Sequence, residues 1–265
     1  MKDFEFHRPS SLAEVVALLR ERPNAKVLAG GQSLLPVLKL DLAEPSDLIS
    51  LAAVPELASI WIEGQELIIG ARCTHDQVAR SANVASAIPA LAALAGAIGD
   101  PQVRNRGTLG GSVAHADPAA DYPAALVALG ATIVTDRGKH AAEDFFTGLF
   151  GTTLAPDELV TEVRFPIPKS AAYAKFAHRA SKYAVVGVFV AQTADGVRVA
   201  VTGASAKVFR VTEMEAALDA SFTAAAIEGI AVAQDELVSD LEASAEYRAH
   251  LIGVMARRAV TACAA

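Results

Sequence analysis

The sequence contains little cysteine, no excess of positive charge and no long hydrophobic run. Two cysteines in 265 residues exclude a scaffold of several disulfides and any metal cluster held by four thiolates of this chain. A formal net charge of −7 argues against nucleic acid as a partner, because nucleic-acid binders present a basic face. Charged or polar residues interrupt every apolar segment, so we expect no transmembrane segment. The N-terminus also lacks a secretion-signal pattern, and we expect a cytoplasmic protein.

The remaining composition is that of a folded protein with a substantial core. Hydrophobic residues make up 52% of the chain and charged residues 20%, which excludes an intrinsically disordered protein. A chain of this length buries roughly 70% of its surface on folding. It can therefore form one large domain or two modest ones.

Patterns of hydrophobic and turn residues divide the chain into three segments. Residues 1–55 combine an amphipathic helix with short buried strands, which is typical of a small α/β lobe. Residues 56–170 begin with an antiparallel hairpin and alternate helices with strands, around a polar, glycine-rich stretch at 100–121. Residues 171–265 predict three antiparallel strands followed by helices, one of them at 223–232. The sequence therefore predicts an α+β protein.

Two glycine pairs are the most informative local feature. Each pair, within 29–33 and 108–112, follows an apolar or extended stretch and precedes a hydroxyl residue. Glycine permits positive φ and close backbone approach, so successive amides of such a turn can point at one phosphate. An ordinary tight turn is the alternative. The spacings of the doubly wound nicotinamide fold and of the P-loop are both absent, so a dinucleotide bound by these two turns requires another architecture.

Three motifs together carry a specific resemblance. They read Ala-Gly-Gly-Gln-Ser-Leu-Leu-Pro at 29–36, Arg-Asn-Arg-Gly-Thr-Leu-Gly-Gly-Ser at 104–112 and Ala-Asp-Pro-Ala-Ala-Asp-Tyr at 116–122. In this order and spacing the sequence resembles the FAD-binding medium subunits of molybdenum hydroxylases of the carbon monoxide dehydrogenase and xanthine dehydrogenase type. The resemblance extends over nearly the whole chain.

The resemblance implies a fold and a place for the cofactor. The expected fold is the vanillyl-alcohol-oxidase-type (PCMH-like) fold, in which FAD lies between two α/β lobes. A C-terminal domain of a three-stranded antiparallel sheet and helices follows. The first glycine segment would hold the diphosphate from one lobe and the second from the other. The residues concerned are Ala29, Gly30, Gly31, Gln32, Ser33, Leu34, Thr108, Leu109, Gly110, Gly111 and Ser112.

The same resemblance implies contacts to the rest of the cofactor. Asp121 would accept a hydrogen bond from a ribityl or ribose hydroxyl, and His115 would approach the cofactor nearby. Lys175 would lie beside the flavin and stabilise the reduced ring, the alternative being a solvated strand lysine. Val160 would contact the ring edge, with core packing as its alternative. Tyr183 would lie close to the ring, although its segment departs from the Asp- and Phe-rich pattern of the family.

No catalytic acid, base or metal ligand is expected. His115, Asp117 and Asp121 together suggest a metal site, but the ligand set is too incomplete for zinc and the flavin loop explains it better. The other histidines, His75 among them, have no metal-ligand spacing and are expected at the surface or at helix caps.

The function follows from the resemblance and from what the chain lacks. Two cysteines are too few for an iron–sulfur cluster held by four thiolates of this chain, and the resemblance implies that the 2Fe-2S clusters and the molybdenum cofactor belong to partner chains. The resemblance implies a heterotrimer, doubled into a dimer of heterotrimers, with a large molybdenum-cofactor subunit and a small iron–sulfur subunit. The FAD of this chain would then pass electrons to an external acceptor such as a quinone, NAD or oxygen.

Two alternatives have different consequences. One is a free-standing flavin-dependent oxidase of the same fold, against which the short segment after residue 170 argues. The other is a scaffold subunit that has lost its cofactor. The intact glycine pairs and Asp121 argue against it, because a lost site would tolerate side chains at the glycine positions.

Overall fold

The structure, a computed structural model, describes residues 2–263 and contains three main β-sheets that follow one another along the chain. The first part consists of β1 (Glu5–His7), α1 (Leu12–Glu21), β2 (Ala25–Leu28), α2 (Leu34–Lys39) and β3 (Asp47–Ser50). The strands are parallel in the order β1–β3–β2, and the helices connect them. The apolar stripe of α1 packs on this sheet, since Val15 and Leu19 share a buried cluster with Ile49.

The second sheet is antiparallel and supports most of the helices. In chain order, the elements of this part are a 3₁₀ turn (Pro55–Leu57), β4 (Ile60–Glu63), β5 (Glu66–Gly70), α3 (His75–Arg80), α4 (Ala82–Ala87), α5 (Pro89–Gly96), α6 (Pro101–Arg104), α7 (Leu109–His115), α8 (Tyr122–Ala128), β6 (Thr132–Thr135), β7 (Lys139–Ala141), α9 (Ala142–Phe145), β8 (Phe146–Gly148), β9 (Gly151–Thr152) and β10 (Val160–Pro166). The sheet order is β4–β5–β10–β6–β7, and β8 pairs with β9 in a separate hairpin. The main core lies between this sheet and α5, α7 and α8, whose buried side chains include Leu91, Val113 and Leu126.

The third sheet is buried on both faces. It consists of β11 (Ser170–Ala177), β12 (Ala184–Thr193), β13 (Gly196–Thr202) and β14 (Phe209–Arg210), followed by α10 (Thr212–Ala220), a 3₁₀ turn (Ala224–Ile227) and α11 (Ala245–Cys263). Phe189 of β12 belongs to the main core, whereas its neighbours Val188 and Val190 share a second core with Met255 of α11. Within residues 2–263, no helix is long and apolar enough to cross a membrane.

Three details differ from the sequence prediction. The C-terminal sheet has a fourth strand, β14, which at two residues is too short to leave a periodic pattern. The helix predicted at 223–232 is only a 3₁₀ turn, because Glu228 is extended and Gly229 takes a φ of 79°. The stretch 100–121, predicted only as polar and glycine-rich, contains α6 and α7.

The segment just before α8 is fixed by the third sheet. The carbonyl oxygen of Pro118 accepts hydrogen bonds from the Gly203 amide at 2.8 Å and the Thr202 hydroxyl at 2.9 Å. The same hydroxyl lies 2.7 Å from the carbonyl oxygen of Ala120, and the Ala184 amide donates to Ala119 at 3.2 Å. The position of this segment therefore depends on strands that come much later in the chain.

Candidate cofactor site

A cavity of about 670 Å³ takes its lining from all three parts of the chain. This volume is in the usual range of small-molecule and cofactor pockets. The first part contributes the loop after β2, the second contributes α7, the segment up to Asp121 and the residues before β10, and the third contributes Ser181, Lys182 and Tyr183. The site is thus formed by tertiary contacts and not by one local motif.

The loop between β2 and α2 presents unpaired backbone amides. No acceptor within residues 2–263 pairs with the N–H groups of residues 30–34, and all five residues line the cavity. Gly31 has a φ of 75°, which only glycine adopts without strain. Successive free amides in such a turn form a concave site for an anion.

The second glycine pair is arranged differently. Gly110 and Gly111 lie in the first turn of α7, where every amide is already paired. Leu109 donates to the carbonyl oxygen of Cys73 at 3.0 Å and Gly110 to that of Ala71 at 2.8 Å. Gly111 donates to the Thr108 hydroxyl at 3.1 Å, and Ser112 to the Thr108 carbonyl oxygen at 3.0 Å. The expectation that amides of residues 109–112 bind the diphosphate is therefore not supported.

The two glycines of this helix also have different surroundings. A Cβ at Gly110 would lie 2.5 Å from that of Ala71, so this glycine is required by packing. Gly111 is exposed at the cavity, and an added Cβ would lie 2.8 Å from the Thr108 hydroxyl and 3.9 Å from Cβ of Ala29. The segment offers the cavity a bare Cα at Gly111 and the Ser112 hydroxyl, for which no partner is found within the described chain.

The first glycine segment touches the backbone just before the second. A Cβ on Gly30 would lie 2.1 Å from the carbonyl oxygen of Arg106 and 2.7 Å from Cα of Gly107. Only glycine permits this approach, so Gly30 fixes the first loop against the second part of the chain.

Asp121 is the buried carboxylate of the site. It is 4% exposed and lines the cavity. Its Oδ1 accepts a hydrogen bond from the Tyr173 hydroxyl at 2.5 Å and forms an ion pair with Nζ of Lys175 at 2.9 Å. Burial raises the pKa of Asp121, while the positive charge of Lys175 and the Tyr173 hydrogen bond oppose that shift. Lys175 lies behind Asp121 and does not line the cavity.

Aromatic and apolar groups form the other walls. Tyr183 is 44% exposed, and burial raises the pKa of its hydroxyl, as do the charges of Asp117 and Asp121. The ring of His115 contacts that of Phe150 with centroids 5.1 Å apart. Val160 is buried in the main core and also lines the cavity, so its core packing is observed and its contact with the flavin ring stays a prediction.

All the predicted site residues except Leu109 and Lys175 line the cavity. Leu109 is a core residue. Asp117, which the sequence analysis considered only as a metal ligand, and Lys182 also line the cavity, and neither is among the predicted FAD contacts.

His75 is the main residue that the sequence analysis placed wrongly. It is 5% exposed and lines the cavity, and its ring packs on Tyr122 with centroids 5.4 Å apart. Burial, aided by the charge of Arg104, lowers its pKa to about 4. Its Nδ1 is buried without a partner among the described residues. The imidazole is therefore neutral near pH 7.

A family model described as the FAD binding domain in molybdopterin dehydrogenase matches residues 2–168. The chain belongs to this family. A second model, described as the CO dehydrogenase flavoprotein C-terminal domain, matches residues 171–263. As a member of the FAD-binding molybdopterin dehydrogenase family, the protein is an oxidoreductase flavoprotein whose cofactor is FAD.

Similar proteins cover almost the whole chain. The nicotine 6-hydroxylase medium subunit of Paenarthrobacter nicotinovorans is 38% identical over 95% of this chain and 94% of its own length. The carbon monoxide dehydrogenase medium chain of Hydrogenophaga pseudoflava is 37% identical over 98% and 96%. A chain in the structure of reconstituted CO dehydrogenase from Oligotropha carboxidovorans matches with a TM-score of 0.92 at 33% identity, over 99% of this chain and 98% of that one. The predicted α+β, PCMH-like fold is confirmed.

Proposed function

We propose that this chain holds FAD in the 670 Å³ cavity and transfers electrons from iron–sulfur clusters of a partner subunit to an external acceptor. The observation that carries the proposal is the row of unpaired amides at residues 30–34, which line the cavity within the FAD-binding match. An anionic diphosphate supplies the acceptors that these donors lack.

The residues present fit FAD. The loop at 30–34 would hold the diphosphate, and the bare Cα of Gly111 with the Ser112 hydroxyl would allow it to approach α7. Asp121 would accept from a cofactor hydroxyl. Tyr183 and Val160 would contact the flavin ring, with His115 near the cofactor. Bound FAD supplies a group that accepts electrons singly and delivers them in pairs.

The protein's own contribution is to bind, orient and exclude water. No general acid or base is required of it, and His75, neutral near pH 7, would add no positive charge beside the cofactor. The ammonium of Lys175 is neutralised by Asp121, so we do not assign it direct stabilisation of the reduced ring.

We further propose a heterotrimer with a large molybdenum-cofactor subunit and a small subunit carrying 2Fe-2S clusters, doubled into a dimer of heterotrimers. The support is that several similar proteins are named the medium subunit or medium chain of a hydroxylase or a dehydrogenase. A quinone, NAD and oxygen are the acceptors to test. We propose the cytoplasm as the compartment, because both cysteines are free. The division of the chain near residues 55 and 170 stays a prediction.

Purification of the chain from its native source tests the whole assignment. Acid-released FAD, iron–sulfur absorbance and molybdenum in one particle are the expected result. FAD without partner subunits would favour the free-standing oxidase, and a colourless native particle would favour the scaffold subunit.

The amide loop is tested by a matched pair of glycine substitutions. Gly31→Ala places a Cβ at a φ of 75°, 2.8 Å from Cδ1 of Leu35, within the loop. Gly64→Ala places one at a φ of 60° in an exposed hairpin with no atom within 4 Å. Left-handed strain of about 1–2 kcal/mol is common to both. We expect FAD affinity, measured by quenching of flavin fluorescence, to fall about tenfold for Gly31→Ala only. Equal affinities would remove the loop from the site.

A further inference from the structure

The ammonium group of Lys175 is fully occupied by the protein. The side chain is 7% exposed. Nζ lies 2.9 Å from Oδ1 of Asp121, 2.9 Å from the carbonyl oxygen of Ala97 and 3.0 Å from that of Lys182. An ammonium group has three donors, so none remains for a cofactor atom. The three acceptors lie at the start of α8, just after α5 and in the turn between β11 and β12.

Asp121 and Lys182 both line the cavity, and of these two partners of Lys175 only Asp121 contributes a side-chain atom. The Tyr173 hydroxyl and the Lys175 ammonium both contact Oδ1. No donor among residues 2–263 pairs with Oδ2. The protein therefore contacts the carboxylate through Oδ1, and Oδ2 remains available to a hydrogen-bond donor in the cavity.

The Lys182 carbonyl belongs to a short loop, residues 178–183, that carries Tyr183 into the cavity wall. The loop is closed at its base, since the His178 amide donates to the Tyr183 carbonyl oxygen at 2.8 Å. Lys182 takes a φ of 64°, which is strained for a residue with a side chain. The hydrogen bond from the Lys175 ammonium to the carbonyl oxygen of Lys182 holds the loop at this strained residue, and we call this bond the tether.

We propose that Lys175 is a positioning residue that couples Asp121 to the 178–183 loop. Its ammonium binds both the Asp121 carboxylate and the carbonyl oxygen of the strained Lys182. Asp121, which would accept a hydrogen bond from a cofactor hydroxyl, and the Tyr183 ring therefore keep a fixed relative position. Lys175 does this without contacting the cofactor. The tether itself is a property of the chain alone, and its effect on FAD rests on the proposed function.

Trypsin tests the tether directly, because its cleavage sites Arg179 and Lys182 lie within the loop. In Lys175→Met the loop loses one charge-assisted hydrogen bond, and we expect cleavage there to be about tenfold faster than in the wild type. Mass spectrometry of the fragments identifies the cleavage sites. Tyr173→Phe is the matched control, since it removes a hydrogen bond to Asp121 and leaves the tether intact. Its cleavage rate should stay at the wild-type value.

Two results would overturn the tether. One is an unchanged cleavage rate in Lys175→Met, and the other is equal acceleration in both variants. If Lys175→Met does not fold because the buried Asp121 carboxylate loses its countercharge, the charge-neutral Asp121→Asn/Lys175→Met variant replaces it. This variant also lacks the tether and should show the same faster cleavage within the loop.

FAD titration of the same proteins tests the second half of the proposal. Both Lys175→Met and Tyr173→Phe should bind FAD at least about tenfold more weakly, because each removes one of the two bonds that hold Asp121. Only Lys175→Met should also alter the flavin absorbance bands, since only there is Tyr183 released. If the wild type binds no FAD, the proposed function fails while the trypsin result stands. Wild-type affinity in both variants would refute the positioning role.

Discussion

Replacement of His75 by glutamine should remove a defined part of the pH dependence of folding. The pKa of His75 is about 4 in the folded chain, against an ordinary value of 6.5. Because the folded value is the lower one, the unfolded chain takes up the proton first as the pH falls. The stability that neutral His75 contributes is therefore complete above pH 6.5 and is lost between pH 6.5 and 4.

The size of the effect follows from the two values. A pH of 5 is about 1.5 units below the pKa of the imidazole in the unfolded chain, which is therefore protonated, whereas the imidazole in the folded chain remains mostly neutral. At about 1.36 kcal/mol per unit, His75 lowers the free energy of unfolding by about 2 kcal/mol at pH 5 relative to pH 8. The side chain is 5% exposed, so solvent screening takes little from this figure.

Urea unfolding at pH 8 and at pH 5, monitored by the fluorescence of Trp61, measures this difference in the free energy of unfolding. We expect the wild type to lose about 2 kcal/mol more than His75→Gln between the two pH values. His250→Gln, at an exposed position, is the control and should follow the wild type. Other titrating groups contribute equally to both proteins and cancel in the difference. Equal losses in the wild type and His75→Gln would refute the assignment of this pH dependence to the buried imidazole.

Two further predictions concern packing and buried charge. Gly110→Ala should lower the free energy of unfolding by about 2 kcal/mol through its clash with Ala71. In Gly111→Ala only the Thr108 hydroxyl, at 2.8 Å, is closer than 3 Å to the added Cβ, so the loss of stability should be smaller, while FAD binding should weaken. Thermal unfolding and flavin titration separate the two. Arg248→Met should lower the free energy of unfolding, measured with urea, by about 2–3 kcal/mol. The Arg248 guanidinium is 3% exposed and donates hydrogen bonds to two backbone carbonyl oxygens and to Asp240. Arg258→Met, on the exposed face of the same helix, is the control. Equal stabilities within either pair would contradict the packing assigned here.

The glycine segments show how far local sequence reasoning extends. A glycine pair before a hydroxyl residue marks both places correctly as cavity walls. Which amides remain free depends on tertiary acceptors, the carbonyl oxygens of Ala71 and Cys73, that lie far from α7 in sequence. The sequence therefore predicted two equivalent phosphate turns, while the structure has one row of free amides and one helix whose first turn is already paired.

Long-range burial explains the other differences. Lys175 on a strand has no sequence pattern that distinguishes a solvated lysine from a buried one, and its burial comes from α5 and the 178–183 loop. His75 shows no metal-ligand spacing and was expected at the surface or at a helix cap, but α3 places it against Tyr122 of α8. Periodicity identified the long helices and strands well, since these bury a regular stripe, and it failed for the two-residue strand β14.

The hydrogen bonds from the third sheet to residues 118–120 bear on how relatives of this protein can be recombined. The two family matches meet between residues 168 and 171, which invites an exchange of C-terminal halves at that point. Such a chimera would separate Thr202 and Gly203 from the Pro118 and Ala120 carbonyls with which they pair. To preserve these hydrogen bonds, residues 117–121 of the recipient would have to be exchanged together with the C-terminal segment. The unit that must be exchanged intact to keep this cofactor site therefore extends across the boundary between the two family matches.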